Sequence, residues 1–286
     1  MLVPLDGSPL GEAILPDVLG LEPATIALLR VVEAGSILGG AADEAARRAE
    51  AARYLAGLAE RLRAAGAREV TTDVRVGDPV EEILAAAGRG PSLVALTTHG
   101  WTGYDPLVLG KVAIKTIRAS PVSVLALRAA EPPKVLAPRP VLSRVLLPYD
   151  GSDVSFRAVE MLALVAGDRP VTAVLLGVIE VYGGPGSVPT EADPDDLATR
   201  YLKLRCDGAR AVVSRAARRA GDLGLDASAD VDVGRPAAKI LDRAQAGAFS
   251  LIAMATHGRS GLTRWALGSV TEHVLGASPV PLVICR

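Results

Sequence analysis

Gly258, nine intervening residues and then Gly268-Ser269 form the stretch of this chain best suited to chemistry. They lie in Ala255 to Val270, ATHGRSGLTRWALGSV, after the apolar run Leu251 to Met254 and before the amphipathic segment Ser269 to Leu275. Small residues after a strand let main-chain N–H groups approach a ligand closely. A helix starting at Gly268-Ser269 adds unpaired N–H groups, the positive end of a dipole and a hydroxyl, all of which favour an anion. The stretch therefore reads as a phosphate cradle. Taken alone, it reads equally well as a strand–loop–helix connection with a capping serine.

The stretch has a partner earlier in the chain. Thr97 to Val112 reads TTHGWTGYDPLVLGKV, and His99-Gly100 and Gly110 correspond to His257-Gly258 and Gly268, each 158 residues later (99 to 257, 110 to 268). The correspondence extends further. Val3 to Ser8 (VPLDGS) recurs as Leu147 to Ser152 (LPYDGS), Val76-Gly77-Asp78-Pro79 as Val233-Gly234-Arg235-Pro236, and Ala119 to Val122 as Ala277 to Val280. The order never changes, so the chain is a tandem duplication and not a solenoid of short repeats.

With these motifs in view, the second copy resembles the universal stress protein family, whose nucleotide signature is small-x-x-Gly-x9-Gly-(Ser/Thr). The resemblance covers both copies. It implies two tandem Rossmann-like α/β domains of the adenine nucleotide alpha hydrolase-like kind, each a five-stranded parallel sheet of order 3-2-1-4-5. Strands 1 and 4 are then neighbours whose connections leave in opposite directions, and open sheets bind ligands at such a switch point. The resemblance also implies the ligand, ATP or a related adenine nucleotide with magnesium, bound mainly in the second domain of a stress-response regulatory protein. Pro148 and Val178 would pack on adenine, and Asp150 would accept hydrogen bonds from the nucleoside. Met254, Ala255 and His257 would line the ribose and triphosphate path, and N–H groups around Gly258, Gly268, Ser269 and Val270 would hold phosphate.

The corresponding first-copy site is Pro4, Asp6, Val31, Thr97, His99, Gly100, Gly110 and Lys111. It departs from the signature: Thr97 stands at the leading small position and Lys111 replaces the Ser/Thr. Trp101 and Tyr104 add bulk where the second copy has Arg259 and Leu262. These changes predict a weak or silent first site. In the second copy the leading glycine is Ala255, one methyl larger.

Plainer readings stand beside each element. Asp-Gly-Ser after a strand also serves as an ordinary helix cap, and His99 and His257 could equally hold their loops by side-chain hydrogen bonds. Leu109-Gly110-Lys111-Val112 is no Walker A motif, which needs a glycine four residues before Gly-Lys and a Ser or Thr after it. No catalytic triad or carboxylate pair stands out, so the chain is not read as an enzyme. Slow ATP hydrolysis would have only Asp150 and His257 to draw on, and a partner-binding module without nucleotide is the main rival. Neither cysteine lies in a metal-ligand spacing, and no metal site is expected.

These motifs must be positioned by alternating elements. Strands fall near residues 1–4, 25–32, 69–76, 93–97 and 122–127, then near 144–148, 171–179, 226–233, 251–255 and 280–284. Several are continuous Val/Leu/Ile/Ala runs, as strands buried on both faces should be. Ser8 and Ser152 read as N-caps of the first helices, and Pro79 and Pro236 fit first turns. Leu55, Leu58, Ala59 and Leu62 share one face of a long helix. Residues 1–128 and 144–286 are read as domains, joined by a proline-rich linker, 129–143, stiffened toward extended conformations. The last strand of each copy would be an exposed apolar edge unless the two met, so an intramolecular pseudo-dimer about a two-fold axis is expected. A further homodimer is left open.

Composition removes other classes. With 31 basic and 32 acidic residues the net charge is −1, which offers no broad basic surface for nucleic acid. Aromatics are only 3%, too few for base-stacking platforms. The apolar run Val171 to Ile179 is much too short to span a bilayer. With two cysteines and no basic leader, the chain reads as cytoplasmic.

Overall fold

A computed structural model describes residues 1–33, 41–98, 110–129, 131–180, 197–256 and 267–286. Its first half runs β1 (Leu2–Pro4), α1 (Leu15–Gly20), β2 (Ile26–Val32), α2 (Ala41–Ala64), β3 (Val70–Val76), α3 (Pro79–Ala87), β4 (Leu93–Thr97), α4 (Lys111–Ala119) and β5 (Ser123–Leu127). The second half repeats this as β6 (Arg144–Pro148), α5 (Asp153–Ala166), β7 (Thr172–Ile179), α6 (Leu197–Asp222), β8 (Asp226–Val233), α7 (Pro236–Ala246), β9 (Leu251–Ala255), α8 (Ser269–Ala277) and β10 (Leu282–Cys285).

All ten strands form one sheet in the order β3-β2-β1-β4-β5-β10-β9-β6-β7-β8. Pairing is parallel within each half, as expected when helices carry the chain back between strands. The exception is the centre, where β5 and β10 pair antiparallel. There Leu125 lies opposite Val283, its own counterpart in the repeat, flanked by Val124–Ile284 and Ala126–Leu282. A register centred on equivalent residues is what a local two-fold axis produces. The two apolar edges close each other.

Strand alternation then gives the sheet two continuous cores. One holds Leu28, Leu55, Leu125, Phe156, Leu175, Val213 and Val283, under α1, α2, α5 and α6. The other holds Leu29, Ile83, Val124, Ile240, Ile252, Val274 and Ile284, under α3, α4, α7 and α8. Each core draws residues from both halves, so burial runs unbroken through the junction. On the second face Arg118 of α4 and Glu272 of α8 pair across it. Arg286 donates to the carbonyls of Ile117 (2.6 Å) and Arg118 (2.7 Å), capping the C-terminal end of α4.

One expectation needs correction. Ser8 does not cap an α-helix directly. Its Oγ accepts the Gly11 N–H at 2.9 Å and opens a 3-10 turn, Gly11–Ile14, that leads into α1. Pro16 is the reason: without an N–H it cannot bond back to residue 12, so the α-ladder starts only around it. The linker is also more than a spacer. Residues 131–143 have no helix or strand, but Arg139 docks on α1, its N–H donating to the Pro16 carbonyl at 2.9 Å and its guanidinium pairing with buried Asp17 at 2.9 Å. Gly20 makes room for this strap, since a Cβ there would fall 1.7 Å from the Arg139 carbonyl oxygen.

Candidate functional site

The second-half site begins where β6 ends. Pro148 pairs in register with Leu176 of β7, and the chain then turns through Tyr149-Asp150-Gly151. Gly151 has φ +89° and its counterpart Gly7 has φ +80°, a left-handed conformation that accounts for glycine at this point of both copies. The Asp150 carboxylate folds back to accept the Ser152 N–H (3.0 Å) and hydroxyl (2.6 Å). Asp6 does the same with Ser8, at 2.9 and 2.6 Å. Ser152 in turn caps α5 by accepting the Ser155 N–H. The Asp-Gly-Ser turn therefore does structural work in both halves, with Asp150 exposed at the strand end.

β6 lies between β7 and β9, so the carboxyl ends of these three parallel strands lie side by side. These strand ends are apolar on the α7/α8 face. Leu176, Met254 and Leu267 belong to that core, and Val178 and Val270 pack on its margin. Pro148, two residues after Leu146, turns to the same face by alternation. Ala255 does not. It is in register with Cys285, a member of the opposite core, so its extra methyl faces away from the α7/α8 side. Thr97 is turned likewise, one residue beyond Leu96 of the α3/α4 face, so its β-branch points away from that face.

The approach to α8 is fixed by backbone. Thr256 donates its N–H to the Cys285 carbonyl (3.3 Å), and its own carbonyl accepts the Gly268 N–H at 2.9 Å. The first half has the same neck, with Thr98 N–H on Leu127 and Gly110 N–H on Thr98, both 2.8 Å. Gly268, with φ −61°, needs no glycine for its conformation. Close approach is the better account: at Gly110 a Cβ would stand 3.1 Å from the Thr98 carbonyl oxygen. The first intrahelical bond of α8 runs from the Glu272 N–H to the Gly268 carbonyl. Ser269, Val270 and Thr271 thus precede the ladder, and their N–H groups present the positive end of the helix. Ser269 is exposed there.

The halves differ around this shared frame. Lys111 occupies the first position of α4, and Ala113 stands where Thr271 donates to the Ala255 carbonyl at 3.2 Å. In the first half Arg30 donates to the Leu5 carbonyl (3.2 Å) and lies over Gly7; the repeat puts Gly177 at its place, with Val213 packed behind it. Cys285, buried beside β9, has its thiol pushed up to about 12 by burial and is no nucleophile. His99, Gly100, His257 and Gly258 lie outside the described residues. The Thr98 and Thr256 carbonyls and the Thr271 hydroxyl join the site with no signal in the sequence beyond the paired Thr-His-Gly segments, which mark two of these positions.

Among the described residues, no group of three or more His, Cys, Asp or Glu could hold a metal ion, and no helix is long and apolar enough to cross a membrane.

Comparisons with known proteins agree with the duplication. The profile of the universal stress protein family matches residues 1–128 and again 142–286. A universal stress protein of Mycobacterium tuberculosis is 26% identical over 224 residues, covering 76% of this chain and 69% of its own length. One from Methanocaldococcus jannaschii is 27% identical over 143 residues, 50% of this chain and 81% of its own. The crystal structure of a universal stress protein from Archaeoglobus fulgidus superposes with a TM-score of 0.73 at 23% identity, over 100% of this chain and 97% of that one. At that identity the superposition speaks for the fold.

Proposed function

Because the chain belongs to the universal stress protein family, we propose that its second half binds ATP or a closely related adenine nucleotide, and that it serves as a regulatory binding protein without fast turnover. What carries the reading is the start of α8. A glycine-led, serine-bearing helix N-terminus is pinned to the end of β9 by the Gly268–Thr256 bond, beside the apolar wall of Val178 and Met254.

The residues fit the parts of such a ligand. The apolar margin suits a base, the exposed Asp150 carboxylate suits hydroxyl or N–H donors, and the N–H groups of Ser269 to Thr271 suit phosphate oxygens. Magnesium would arrive with the triphosphate and keep several of its waters. Lys111 at the start of α4 opposes the helix dipole by roughly 0.3–1 kcal/mol, which favours the second half as the working site.

Thermal melting with and without millimolar Mg-ATP tests this. Ligand bound only by the folded state adds about 2.7 kcal/mol at a hundredfold excess over Kd. Ser269→Ala should weaken the shift and Gly268→Val should abolish it. A parent protein that neither shifts nor gives heat on titration would favour the partner-binding module.

A further inference from the structure

The outer face of α6 has a character that neither the duplication nor the nucleotide reading accounts for. Tyr201 (60% exposed), Leu204 (71%) and Val212 (38%) stand in solvent at helical spacing, with Gly208 between them. They span about 16 Å along the axis. A Cβ at Gly208 would meet nothing within 4 Å, so the stripe has an open notch at its middle. The counterpart helix α2 shows what the fold itself requires. Leu55, Leu58, Ala59 and Leu62 are buried there as Val213, Ala216, Ala217 and Ala220 are in α6. On that alignment the stripe positions of α2 are Asp43, Ala46, Glu50 and Tyr54, mostly polar, with Tyr54 tied to Glu12. The apolar stripe is therefore an addition of the second half.

Charge identifies what fits it. The 26 residues of α6 carry seven arginines and lysines against Asp207 and Asp222, in a chain whose net charge is −1. Arg200 stands one turn before Leu204 and Arg215 one turn after Val212, and Arg205 lies over the Tyr201 ring, 5.9 Å from its centroid, while Arg210 pairs with Asp207 on another side of the helix. Two copies of so basic a helix would repel each other. A bilayer would use bulky apolar residues along the whole stripe, whereas a notch at Gly208 admits the backbone or ridge of another helix.

We propose that the exposed face of α6 docks an acidic amphipathic helix of a partner protein, crossing at Gly208, with its apolar ridge between Leu204 and Val212 and its carboxylates on the flanking basic side chains.

The probe is a pair of labelled amphipathic peptides of about 20 residues with one Leu/Ala stripe, flanked by Glu in one and by Lys in the other. Anisotropy titration should show the Glu peptide binding at least about tenfold more tightly, with affinity falling as salt is raised. Leu204→Glu and Gly208→Leu should each weaken it about tenfold or more, while Glu50→Lys on α2 leaves it unchanged. Leucine is the better helix former, so loss in Gly208→Leu cannot be put down to unfolding. Four results would overturn the proposal: no binding of either peptide, equal binding of both, co-sedimentation with phosphatidylglycerol vesicles in place of peptide binding, or self-association in sedimentation velocity that Leu204→Glu abolishes.

Discussion

Leu125→Ala measures how far the central strand pair makes one folding unit of the two halves. Leu125 is fully buried, sits opposite Val283 on the local two-fold, and shares a core with residues of both halves. Truncating a buried leucine costs about 2–5 kcal/mol, and a site held between two strands and two helices has little freedom to collapse, so about 3 kcal/mol is a fair centre. At about 2.1 cal/mol/K per residue, the melting entropy of the 286-residue chain is roughly 0.6 kcal/mol/K if it unfolds at once. The whole transition should then fall by about 5 °C. Were the halves independent, about half the entropy would be involved, and the first half alone would drop by roughly 10 °C while the second stayed in place. Differential scanning calorimetry separates these outcomes. One transition moving as a unit is the expected result; two resolved transitions with only one displaced would refute the continuity of the cores as a source of cooperativity.

Three further outcomes follow from particular contacts. Burial raises the Asp17 carboxyl to about 6 from an ordinary 3.8, against the opposing pull of Arg139. The folded form thus holds its proton more tightly, and this contribution to stability is full below about 3.8 and lost as pH rises through about 6. Urea unfolding of the parent and Asp17→Asn across that range should give curves that diverge, and parallel curves would sink the assignment. Gly20→Ala puts a methyl where the Arg139 carbonyl stands, so it should cost more than about 1 kcal/mol and speed limited proteolysis within residues 131–143; unchanged cleavage would show that the strap does not depend on this contact. For the nucleotide, calorimetric titration should count one tight site per chain, lost in Gly268→Val and kept in Gly110→Val, and two equivalent sites would contradict the proposed inequality of the halves.

The strands and the long helices were legible because their signals are local. Runs such as Leu251–Met254 and Val171–Ile179 announce strands buried on both faces, and Leu55, Leu58 and Leu62 announce a helix face by spacing alone. The meeting of β5 with β10 was legible by a different route, from two apolar edges that needed cover. Its register was not, because only three-dimensional pairing shows that Leu125 meets its own counterpart. The docking of the linker on α1 was not legible for the same reason. Its prolines report an extended chain, but what fixes it is a carboxylate buried at Asp17, a glycine at position 20 and an arginine more than a hundred residues away in sequence.

At the candidate site the division is finer. The sequence names the glycines and the Ser-for-Lys difference between the copies, since residue type alone decides whether a helix start welcomes an anion. It does not say which way a strand residue faces at its last position. Ala255 and Thr97 looked like obstructions when read as letters beside a glycine, yet alternation turns both side chains from the α7/α8 and α3/α4 faces. The proposed inequality of the halves therefore moves from the strand ends to the helix starts and their surroundings. Lys111 stands against Ser269, Ala113 against Thr271, and Arg30 over Gly7 against bare Gly177. Each change leaves the shared backbone frame intact, with Gly110 and Gly268 bonded alike to the threonine before them. A duplication that keeps the neck and varies what lines it would retain one fold while freeing one copy from the proposed ligand. Lys111→Ser is the sharpest single probe of that reasoning: if the helix start decides, this exchange should raise first-half nucleotide affinity, and if Arg30 decides, it should not.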